Sequence, residues 1–137
     1  MAHGQALPPI MVTTTDFDRL RGLAESGMKR TPQAAEFLAR EIDRARIVEP
    51  GQIGHDTVTM GARVTFRDDV TGQSRTVTLV YPEDAEIAAG KISVLTPIGA
   101  ALIGLSVGQS IEWQSPSGGW RSLTVLQVGD QWVKGGD

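Results

Sequence analysis

Few residues in this chain of 137 could carry chemistry, and their types and spacing narrow the choice quickly. Histidines stand at positions 3 and 55 and there is no cysteine, which removes disulfides, thiolate zinc sites and cysteine nucleophiles together. His55 is followed by Asp56, types that suit a metal site or a proton relay. As neighbours on a strand they would point to opposite faces and could not share a substrate. Glu83, Asp84 and Glu86 could offer carboxylates to a divalent cation, but three acids in a surface loop read as a solvated cluster. No catalytic residue and no metal site is therefore assigned.

Nucleotide cradles have no support either, since neither G-x-x-x-x-G-K-[ST] nor G-x-G-x-x-G after a strand occurs, and no nucleophile elbow is expected. The body's aromatics, Phe66, Tyr81, Trp113, Trp120 and Trp132, are not interleaved with basic residues as base-stacking platforms are. Net charge is −3, and the excess of acid lies beyond residue 50, a poor basis for wrapping a phosphate backbone. No sequence-specific nucleic-acid binding is expected. Residues 92–111 carry no charge but are broken by polar residues, Pro97 and three glycines, so they read as a buried segment and not a membrane span. The start of the chain lacks a signal-peptide pattern, and together with the missing cysteines this points to the cytoplasm.

The elements that would hold these residues change character once, near Glu49-Pro50-Gly51, where the period of apolar residues switches. Residues 1–12 read as a flexible leader, 13–49 as a helical hairpin arm and 50–137 as one domain. Thr15 with Asp18 predicts the cap of a first helix carrying Phe17, Leu20 and Ala24 on one stripe and stopping near Ser26-Gly27. Thr31-Pro32 opens a second helix reaching Val48, with Ala35, Leu38, Ile42 and Ala45 on one face and Glu36 spaced to pair with Arg40. The turn between them is short, so the two helices form an antiparallel, coiled-coil hairpin.

Beyond the boundary, strands are predicted at 57–67 and 74–81 around DDVTGQ, at 91–95, and at 110–114 and 120–128 around SPSGG. A short helix spans 97–105, with Pro97 at its first position and Ala100, Ala101, Leu102, Ile103 and Leu105 buried. The fold class is α+β: a short helical hairpin on an antiparallel sheet holding one short helix.

Residues 92–119, ISVLTPIGAALIGLSVGQSIEWQSPSGG, resemble the C-terminal domain of the Gre transcript-cleavage factors. The shared order is a strand, a Ser-Pro-apolar step, an A-L-[IL]-G helix, a V-G-[DQ] strand and a P-x-G hairpin, and it implies an FKBP-like fold. HDTVTMGARVTFRD, TLVYPEDA, TPIGAALIGLSVGQSIEW and EIDRARIV together are similar to the Rnk family, the regulators of nucleoside diphosphate kinase, over almost the whole chain.

That resemblance implies a cytoplasmic, monomeric, cofactor-free transcription regulator that is not an enzyme and binds RNA polymerase near its secondary channel. The positions matching the Gre contact with the channel rim are Thr96, Pro97 and Ile98, preceded by Leu95. Gre factors also carry two carboxylates at the arm tip to hold Mg²⁺ in polymerase. Here the tip reads SGMKRT, with Met28 as a candidate anchor and Lys29 and Arg30 as candidate contacts to an acidic surface. A second helix over 32–48 spans about 25 Å, and a channel-length arm would need roughly twice that. Transcript cleavage is not expected. Two alternatives remain: an FKBP-like prolyl isomerase, although such enzymes carry a Trp where this chain has Thr96-Pro97-Ile98, and a protein that binds nucleoside diphosphate kinase directly.

Overall fold

A computed structural model describes residues 7–115 and 117–132. His3, the first six residues of the expected leader and Pro116 of the SPSGG turn lie outside the described residues. The chain runs through β1 (Met11–Thr13), α1 (Thr14–Gly27), α2 (Pro32–Arg44) and β2 (Arg46–Val48) before entering the domain. There it forms β3 (Arg63–Asp68), β4 (Ser74–Val80), β5 (Lys91–Ser93), α3 (Pro97–Leu102), β6 (Ser110–Gln114), β7 (Trp120–Val128) and β8 (Gln131–Trp132). The α+β class holds, with helices first and a curled sheet after.

The expected flexible leader is corrected from Ile10 onward. Ile10 and Val12 are each only 2% exposed, and β1 pairs in parallel with β2 in a separate small sheet. The pairing also shortens the second helix, which ends at Arg44 and not at Val48. Ala45 turns extended at φ −73°, ψ 145°, and the β-branched Ile47 and Val48 continue as strand. The Arg44 guanidinium holds the corner, bonding both the Glu41 carboxylate and the Pro8 carbonyl. The cap of α1 is Thr13 and not Thr15: its hydroxyl accepts from the Asp16 amide at 3.1 Å.

The main sheet has the order β5-β4-β3-β7-β6, with β8 beside β7. The antiparallel expectation fails at one edge, where β5 lies parallel to β4 after the crossover through residues 81–90. The first strand is also shorter than expected, because Gly61 takes φ +84° and turns the chain away before β3 begins. Residues upstream of that turn bond elsewhere: Val58 donates to the Leu105 carbonyl and Gly104 to that of Val58. The helix that was expected to reach Leu105 ends at Leu102, and Gly104 follows at φ +81°.

Both halves share one apolar core. Leu20 and Leu38 of the hairpin are fully buried in the same cluster as Leu79, Leu102, Leu105 and Val125 of the domain. At about 1.5–3 kcal/mol for each fully buried large aliphatic side chain, this seam outweighs any single polar contact between the halves. The polar contacts add direction. The Arg19 guanidinium lies 3.6 Å over the Tyr81 ring and pairs with Glu83. The Tyr81 hydroxyl donates to Asp16 at 3.5 Å, and burial, followed by the Asp16 charge, pushes the phenol up to about 12.

Candidate functional site

Thr96, Pro97 and Ile98 form the first turn of α3. Thr96 is the N-cap: its hydroxyl accepts from the Gly99 amide at 3.1 Å and donates to the Ser93 carbonyl at 2.7 Å, so it is committed to local structure. Pro97 is exposed and Ile98 half-buried, while everything from Gly99 to Leu102 is buried. Gly99 lets α3 approach β5 this closely, since a methyl group there would stand 2.1 Å from the Ser93 carbonyl oxygen. The start of the helix is thereby held at the surface by a rigid backbone contact.

The hairpin turn reaches the same neighbourhood. Met28, Lys29 and Arg30 are all exposed, and among the described residues neither cation has an ion-pair partner. Gly27, just before them, packs against the Leu95 side chain, just before Thr96. The structure therefore puts the two predicted contact segments on adjoining surface through a Leu95–Gly27 contact.

A groove of about 1150 Å³ runs past Thr96, Pro97 and Ile98 between the domain and a flank of α2 that reaches from the buried Phe37 to the exposed Arg40. Sequence reasoning missed the α2 side of it. Gln33, Phe37, Arg40 and Arg44 line it at steps of four, three and four, a second helical stripe beside the core stripe. An aromatic residue within an otherwise polar stripe was the available signal. Arg40 does not pair with Glu36; its guanidinium lies 5.9 Å from the Phe37 ring, and the Trp113 ring also stands 5.9 Å from that ring.

The residues weighed for chemistry stay apart. His55 and Asp56 sit exposed in a turn and not on a strand. Glu83 is engaged by Arg19, and among the described residues no three His, Asp or Glu side chains could hold a metal. One motif runs against expectation: Gly104-Leu105-Ser106-Val107-Gly108 has G-x-S-x-G spacing. It is not an elbow, because it follows a helix and leads into a strand, and the Ser106 hydroxyl is engaged by that of Thr57 at 3.0 Å. No described helix is long and apolar enough to cross a membrane.

Known proteins share the two parts of this fold. Residues 53–130 match the family model described as transcription elongation factor GreA/GreB, C-terminal, and residues 8–48 match that of the Rnk N-terminus. The chain is 39% identical over 130 residues to the regulator of nucleoside diphosphate kinase of Escherichia coli K12, covering 95% of this chain and 96% of that one. It is 34% identical over 94 residues to the transcription elongation factor GreA of Beijerinckia indica, covering 69% of this chain and 59% of the relative. Among solved structures, the GreA/GreB elongation factor of Nitrosomonas europaea superposes with a TM-score of 0.68 at 37% identity, covering 88% of this chain and 98% of that one. An Rnk-type N-terminal segment joined to a GreA/GreB C-terminal domain, with near-complete coverage of the Escherichia coli protein, places the chain in the family of the regulator of nucleoside diphosphate kinase.

Proposed function

We propose that the protein is a non-enzymatic transcription regulator that docks on RNA polymerase near the secondary channel and does not cleave transcripts. Pro97 and Ile98 make the contact, Thr96 shapes the turn that presents them, and the turn at Met28, Lys29 and Arg30 sits at the channel mouth. Occlusion of longer-armed factors is the mechanism this arrangement allows. Relatives named as elongation factors share the domain that carries Thr96, Pro97 and Ile98.

The observation that carries the proposal is the hairpin itself. Its helices have 14 and 13 residues, about 20 Å each at 1.5 Å per residue. Their inner faces are buried in the core of the body, and the turn ends in two cations with no carboxylate. Cleavage by a delivered Mg²⁺ would need acidic ligands at that tip. The hairpin has neither the reach nor the ligands.

Two measurements test this. The purified protein is expected to bind core RNA polymerase at micromolar concentration, and Ile98→Asp to weaken binding at a temperature where its unfolding curve shows the variant still fully folded, although its midpoint falls because Ile98 packs on the core. Stalled elongation complexes are expected to show no transcript shortening on addition of the protein. No binding at micromolar concentration removes the docking half of the proposal, and shortened transcripts remove the other.

A further inference from the structure

The groove beside α3 belongs to neither half of the chain alone. The hairpin supplies Phe37 and Arg40, and the domain supplies Ile98, Ile111 and Trp113 opposite them. Its rim exposes apolar surface that a closed protein would hide: Ile87 is 85% exposed and Trp120 37%. Its charge opposes that of the molecule. Five cations line it against three carboxylates, in a chain whose net charge is −3. Arg44 is spent on Glu41 and Arg121 on Asp68. Arg40, Arg75 and Lys91 are exposed and, among the described residues, have no carboxylate within ion-pair distance.

We propose that this composite groove seats an amphipathic polypeptide segment of the partner. Its aliphatic or aromatic side chains lie on the floor of Phe37, Ile98 and Trp113, and its Asp or Glu side chains face Arg40, Arg75 and Lys91. Size favours a polypeptide over a small ligand, because about 1150 Å³ exceeds the roughly 300–1000 Å³ of small-molecule sites. Charge favours an acidic segment, because complementary fields steer association and exclude wrong partners. The inference rests on the reading of RNA polymerase as the partner. It changes the role of the hairpin from an arm at the entrance to one wall of the docking cradle.

The test uses the full chain and core RNA polymerase, with association and dissociation followed at several salt concentrations. The double variant Arg40→Glu, Lys91→Glu alters exposed side chains only and is expected to bind roughly tenfold more weakly, mainly through slower association, and with a flatter salt dependence. Arg40→Lys should bind as wild type, as should Arg46→Glu, a charge reversal on exposed surface outside the groove. If the wild type binds polymerase and the double variant binds it equally well, the acidic segment in the composite groove is wrong while polymerase docking stands. If the wild type does not bind at all, both fall. Two further results would assign the groove to another occupant and overturn the proposal: quenching of tryptophan fluorescence by millimolar ADP that the double variant abolishes, or a dimer in solution that the double variant dissolves.

Discussion

Two parts of the domain are held together by opposite means. Around α3 the contacts are apolar and the backbones nearly touch: Ala100, Ala101 and Leu102 are fully buried, and Gly99 lies against the backbone of Ser93 and Val94. At the turn between β3 and β4, residues 68–73, the contacts are polar and half-exposed. Asp68 accepts from the Val70 amide and pairs with Arg121, and Asp69 accepts from Arg67 at 2.8 Å, Thr124 at 2.8 Å and Ser122 at 2.9 Å. The first region should be sensitive to added volume and indifferent to pH, and the second the reverse. A docking surface built on the first kind of support can present Pro97 and Ile98 without depending on solution conditions.

The sharpest way to break this contrast is Gly99→Ala. A methyl group 2.1 Å from a carbonyl oxygen cannot be relieved by a rotamer change, so α3 must shift off β5, at a cost of about 3 kcal/mol, near the upper end for overpacking. Urea unfolding reads the loss. A cost below about 1 kcal/mol would mean that α3 slides freely and that its start is not rigidly placed. Thr96→Ala comes next, at about 1 kcal/mol for a lost N-cap, and Thr96→Ser should restore most of it. If Ser does no better than Ala, the Thr96 methyl and not its hydroxyl supports the turn.

The two regions also differ in how much of them could be read in advance. The strands at 110–114 and 120–128 and the proline-started turn of α3 follow from local pattern and appear where expected. DDVTGQ reads as a turn, but its anchors do not, since Arg121, Ser122 and Thr124 lie more than 50 residues away in sequence. Long-range pairing hid β1 for the same reason: three residues make a strand only because Arg46, Ile47 and Val48 lie alongside, and those three residues read as the end of a helix. The groove was illegible because its two walls come from different halves of the chain, and the stripe at 33, 37, 40 and 44 shows up only once one face of α2 is known to be buried.

Within the turn, Gly72 sharpens the comparison because it is needed for conformation and not for space. Its φ is +80°, yet nothing stands within 4 Å of where a side chain would begin. Gly72→Ala should cost about 1 kcal/mol, from left-handed backbone strain alone. Gly72→Asn should cost less, because Asn tolerates that conformation. The pair separates this glycine from Gly99, where every side chain meets the same backbone wall. Equal losses for Ala and Asn at Gly72 would point to crowding and erase the distinction.

The smallest effect expected is the one that tests the polar half directly. Burial alone would raise the Asp69 carboxyl, but hydrogen bonds from Arg67, Thr124 and Ser122 and the Arg67 charge outweigh it, so it titrates below the ordinary aspartate value. A carboxylate lowered in the folded state stabilises the fold fully above its unfolded value, about 3.9, and that contribution is lost as pH falls through the lower folded value. Asp69→Asn keeps the shape and removes the titration. Its stability deficit relative to wild type should be constant from pH 7 to about pH 5 and then shrink as the pH is lowered below about 4. The deficit of Gly99→Ala, measured in parallel, should stay level across the same range, because no titrating group enters its cause. A deficit for Asp69→Asn that stays level or grows in acid would show that the Asp69 charge adds nothing to the turn, and the two regions would then differ in packing alone.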